Sequence, residues 1–130
     1  VEVEDIIEEY RNHDYRLIVF FGGGGGAFPL ESILTPLILL ILDKLLEKAI
    51  IEPALSKIIE KIKKQKIERK DIEEFTEKLT HLLAHMEELL TVEAIKRGYS
   101  KYQIEHALKL SYKIISSHKI NREILESLHN

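Results

Sequence analysis

The chain has 130 residues and a mass of 15.1 kDa, enough for one domain with a real core and too little for two cores joined by a linker. Hydrophobic residues make up 45% and charged residues 32%, which excludes disorder for want of apolar residues and also an ordinary multi-span membrane protein. There is no cysteine, so disulfides, thiolate zinc sites and a thiol nucleophile are excluded, and the net charge of -3 conceals a strong division along the chain. Residues 1–42 hold seven acids and two bases, residues 57–70 hold seven bases against Glu60 and Glu68, and residues 96–122 hold seven bases against Glu105 alone.

In chain order, Val3, Ile6, Ile7 and Tyr10 recur at helical spacing and predict a short helix over residues 3–12. After a turn at Asn12-His13-Asp14, the apolar run from Tyr15 to Phe21 suits one short strand over residues 16–21, with a helix as the alternative. Five of the six glycines then stand together at residues 22–26, and they read as a flexible hinge, natural or engineered, within a single helical domain spanning residues 1–130. Thr35-Pro36 predicts the start of a helix that is apolar on every side from Leu37 to Leu42 and belongs at the centre of a bundle. Glu52-Pro53 predicts a kink or a second helix burying Leu55, Ile58, Ile59 and Ile62.

Asp71 and Glu74 form a capping-box pattern ahead of an apolar stripe made of Ile72, Phe75, Leu79, Leu82, Leu83, Met86, Leu89 and Leu90. That helix is expected to end at Gly98, where a second capping box, Ser100 with Gln103, opens a helix burying Ile104, Ala107, Leu108, Ser111 and Ile115. Asn121 is expected to cap a last helix carrying Ile124, Leu125 and Leu128. The expected fold is mainly α, a compact bundle of five or six helices.

Few residues invite specific chemistry. The glycine run satisfies a dinucleotide pattern formally, but no second parallel strand follows, and Ala27-Phe28-Pro29 stands where a phosphate loop needs Gly-Lys-Ser/Thr. His81, His85 and Glu88 share one helical stripe and define one alternative, a small metal-dependent enzyme using His81 and His85, although the glutamate of HExxH is missing. The nearly uncharged segment 17–42 defines another, a membrane-surface or membrane-inserting protein, but glycines and prolines break it into pieces too short to span. No serine sits in a nucleophile elbow. The main reading therefore expects no enzyme activity, no metal and no cofactor.

Residues 96–113 carry the most informative pattern. Lys101, Lys109 and Lys113 are predicted on the side of their helix away from the apolar residues, together with Tyr102 and Tyr112, and Lys96 and Arg97 lie just before them. Lysines interleaved with tyrosines suit phosphates and exposed bases, which makes these seven residues the candidate nucleic-acid contacts. The bases of residues 57–70 would extend the patch if the fold brought them near.

The stretch from Ala94 to Leu108, with its Gly98-Tyr99-Ser100 turn and Ala107-Leu108 pair, resembles the first turn of ubiquitin-associated-type three-helix modules, and residues 122–128 would supply the third helix. That resemblance implies protein binding. In size, helicity, the Arg16-to-Phe21 segment followed by glycine, and its basic helices, the chain as a whole resembles the small helical subunits of archaeal CRISPR effector complexes. This implies a non-catalytic subunit of a nucleoprotein assembly, with a protein partner or second copy packed on helix faces and single-stranded nucleic acid as a further partner. Abundant Ile, Leu, Lys and Glu with one methionine and no tryptophan fits a thermophile, and an opening segment without signal-peptide features leads us to expect a cytoplasmic location.

Overall fold

A computed structural model describes residues 29–128, which form five α-helices and no strand. The predicted helix over residues 3–12, the strand over residues 16–21 and the glycine hinge lie outside the described residues. The helices are α1 (Pro29–Ile51), α2 (Pro53–Lys64), α3 (Arg69–Lys96), α4 (Lys101–Ile115) and α5 (His118–Leu128). A mainly α bundle is therefore what the chain builds.

Helix α1 is its centre, packed on α2, α3 and α4. Leu34, Leu37, Ile38, Ile41, Leu42, Leu45, Leu46 and Ala49 are all buried, an apolar arc covering about half the helix circumference at 100° per residue. One expectation is corrected here. The helix begins at Pro29, whose missing N–H costs nothing at a first position, and Pro36 lies inside it on the solvent side. Beyond Leu42 the helix is amphipathic, with Lys44, Glu47 and Lys48 exposed on one side.

A single-residue break at Glu52 separates α1 from α2, because Pro53 is tolerated at the start of a new helix and not inside a continuing one. The hydroxyl of Ser56 donates to the carbonyl of Ile50, pinning the first turn of α2 to the last of α1. Leu55, Ile58 and Ile62 turn inward.

At the α2–α3 junction Asp71 is not the cap but the third helical residue, and it makes two bonds. It accepts the N–H of Glu68 at 3.0 Å and the ammonium of Lys61 at 2.9 Å. Burial pushes its carboxyl pKa up, but the Lys61 and Glu68 hydrogen bonds outweigh that and leave it below the ordinary value of 3.8. The same hydrogen bond raises the pKa of Lys61 above 10.5.

The α3–α4 turn matches its predicted wording. Gly98 adopts φ 95°, the left-handed region, and Tyr99 N–H reaches back to the Ala94 carbonyl at 3.1 Å. Ser100 Oγ accepts from Gln103 N–H at 3.1 Å, and Ser100 N–H donates to Gln103 Oε1 at 2.9 Å. The chain thus reverses, and α4 runs back along α3.

Asn121 corrects another expectation, for α5 begins at His118 and Ser117 takes the capping place, its hydroxyl accepting from Ile120 N–H at 3.3 Å. Asn121 is fully buried instead. Its amide donates to Thr76 Oγ1 at 2.8 Å and to the Ile115 carbonyl at 2.9 Å, joining α5 to α3 and to the end of α4. Among the described residues no helix is long and apolar enough to cross a membrane, and Leu34, Leu37, Ile38, Ile41 and Leu42 of the apolar segment belong to the buried arc of α1.

Candidate nucleic-acid interface

Helix α4 buries Ile104, Ala107, Leu108, Ser111, Ile114 and Ile115 and leaves the opposite arc in solvent. Lys101, Tyr102, Lys109 and Lys113 all stand exposed on it, and so does Glu105. Tyr102 is 65% exposed, and its ring lies nearly parallel to that of His106, with centroids 6.2 Å apart and planes 15° apart. The imidazole thus flanks the phenol at i, i+4 spacing in a near-parallel, offset arrangement and leaves the phenol open to solvent. The i, i+4 spacing of Tyr102 and His106 was available in the sequence, yet His106 was not among the candidates.

Lys96 and Arg97 sit exposed where α3 gives way to the turn, so the reversal at Gly98 brings them to the same end of the bundle as Lys101. Arg97 is held by Glu93 at 3.2 Å. Tyr112 is placed differently from the other candidates. It is half-buried at the α3 edge of α4, where its hydroxyl donates to Glu87 Oε2 at 3.0 Å. Burial, then the Glu87 bond and charge, push its pKa up to about 12. Its hydroxyl is engaged in helix packing.

The fold does not merge the second basic stretch with this face. Lys61, Arg69 and Lys70 lie at the amino-terminal end of α3, while Tyr112 meets the helix at Glu87, about 27 Å beyond Arg69 at 1.5 Å per residue. Several bases of that stretch are also engaged by acids: Lys61 with Asp71, Lys63 with Glu60 at 3.3 Å, Arg69 with Glu73 at 3.1 Å and Lys70 with Glu68 at 3.6 Å. Lysines 96, 101, 109 and 113 have no ion pair among the described residues.

The histidine stripe is exposed as expected, but it is not featureless surface. His81 and His85 line an open cleft of about 210 Å³ with Lys78 and Leu82 of α3, Glu52 at the break and Ala54 and Leu55 of α2. Glu88 lies outside it. Among the described residues no three His, Cys, Asp or Glu side chains gather to hold a metal ion.

No family model matches the chain, and no curated protein or solved structure matches it either.

Proposed function

We propose that the chain is a non-catalytic helical assembly subunit that presents the outer face of α4 to single-stranded nucleic acid within a nucleoprotein complex. The observation that carries this reading is the combination on one helix arc of three lysines without acid partners among the described residues and an exposed tyrosine ring. Lysines attract phosphates, and an open ring face offers a stacking surface to an unpaired base, which a duplex keeps inside its stack. Lys96 and Arg97 extend the positive surface toward the turn. The likeness in kind to small helical subunits of archaeal CRISPR effectors supports the same reading.

Packing against protein follows from a second surface. Leu89, Val92 and Ile95 are exposed on α3 at intervals of three residues, with Leu89 73% exposed. Such a row suits a helix of a protein partner or of a second copy.

Anisotropy of a labelled single-stranded oligonucleotide tests the proposal. At low salt it rises with the wild-type chain, falls back with Lys101→Glu/Lys109→Glu/Lys113→Glu, and is weakened by Tyr102→Ala, with duplex of the same length bound less tightly. No wild-type binding, or binding indifferent to the lysine reversal, overturns it.

A further inference from the structure

We infer that the cleft between α2 and α3 binds a late first-row divalent cation such as zinc or nickel through the imidazoles of His81 and His85. Residues four apart on a helix stand one above the other, so these rings rise from the same side of α3 and both line the cleft. The zinc helices of metalloproteases use the same interval for two of their ligands.

The tautomer of His85 is settled by its neighbour. Its Nδ1 lies 2.7 Å from the carbonyl oxygen of His81, and a carbonyl only accepts, so Nδ1 carries the proton and Nε2 keeps the lone pair. Histidines that bind metals commonly donate their other ring N–H to a carbonyl in this way, which fixes the ring and raises the basicity of the coordinating nitrogen. The hydrogen bond therefore prepares His85 as a ligand through Nε2.

The cleft sets the character of the site. Glu52 contributes a negative charge and Lys78 a positive one, while Ala54, Leu55 and Leu82 form an apolar wall. No third His, Asp or Glu joins the two imidazoles as a ligand, so water completes the coordination and the ion exchanges readily. Two imidazoles select zinc, nickel or copper over magnesium and calcium, which prefer oxygen ligands. This departs from the sequence reading, which expects no metal, because Glu52, Ala54 and Leu55 are distant in the chain from the histidines and only the fold assembles the cleft.

Calorimetric titration of the untagged chain with zinc chloride and with nickel chloride tests the inference. One ion binds per chain, magnesium gives no heat, and either His81→Ala or His85→Ala weakens binding by about tenfold or more. Both histidines are exposed, so these variants keep the wild-type melting temperature without metal. His106→Ala/His118→Ala retains binding, and nitrogen-correlated imidazole spectra of the wild type show zinc moving Nε2 of His85. Absence of zinc and nickel binding overturns the inference. So does binding retained in both single variants, binding lost in the His106/His118 control, or coordination at Nδ1 of His85.

Discussion

At the amino-terminal end of α3 Lys61 meets Asp71, Arg69 meets Glu73 and Lys70 meets Glu68, whereas Lys57, Lys64 and Lys66 of the same basic stretch meet no acid among the described residues. At the carboxy-terminal end and on α4, Lys96, Lys101, Lys109 and Lys113 meet none among the described residues, and only Arg97 is paired. The difference lies in how many bases an acid holds: Lys61, Lys63, Arg69 and Lys70 of the seven over residues 57–70, against Arg97 alone of the five from Lys96 to Lys113. Around the first, Glu60, Glu68, Asp71 and Glu73 each hold a base, whereas around the second Glu93 holds Arg97 and Glu105, four residues from both Lys101 and Lys109, pairs with neither. A base held by a carboxylate contributes to local structure and adds little field. A base without one remains available to a phosphate.

The sharpest way to break this comparison is to reverse charge at each end in turn. Lys101→Glu/Lys109→Glu/Lys113→Glu should weaken single-strand binding by about a hundredfold at low salt, and reversal of the acid-paired bases in Lys63→Glu/Arg69→Glu/Lys70→Glu should change it by no more than about threefold. Stability should divide the opposite way. Asp71→Ala leaves the Glu68 N–H and the Lys61 ammonium without their acceptor and should cost about 2 kcal/mol, several degrees of melting temperature, while Lys109→Ala should stay within about 0.5 kcal/mol.

Titration sharpens the same contrast. The native pKa of Asp71 lies below 3.8, so its stabilisation is complete above that unfolded value and is lost as pH falls through the native one. Asp71→Asn should therefore flatten the acid limb of a melting-temperature profile. Tyr112, raised from 10.0 to about 12, works at the other extreme: its contribution is complete below 10.0 and is lost as pH rises through about 12. Phenolate absorbance should show one tyrosine ionising late, and Tyr112→Phe should remove that late step. The smallest effect is the neutral-pH cost of Tyr112→Phe, about 1 kcal/mol for the lost bond to Glu87, read from chemical denaturation.

Much of this was legible in the sequence because it depends on local rules. Gly98, Ser100 and Gln103 specify their turn through backbone conformation and reciprocal capping, which need no partner outside the turn. The inward residues of α4 follow from periodicity. What was not legible depends on neighbours. Leu89 continues the apolar stripe of α3 by spacing, yet it is exposed because no described helix covers that flank. Asn121 has the composition of a cap, but Thr76, 45 residues earlier, offers its amide a buried partner. Tyr112 shares a helical side with the lysines by angle, and only the position of α3 decides that its hydroxyl meets Glu87. The cleft of His81 and His85 likewise exists only once α2 folds back onto α3.

The most direct test of the central claim is the salt dependence of single-strand binding in two charge-neutralised chains, Lys101→Gln/Lys109→Gln/Lys113→Gln and the acid-paired set Lys63→Gln/Arg69→Gln/Lys70→Gln. Each phosphate contact to a single strand contributes about 0.7 to the slope of log affinity against log salt. The account predicts that the first variant loses about 2 from the wild-type slope and the second keeps it. Equal loss in both, or an unchanged slope in the first, would contradict the assignment of the interface to α4.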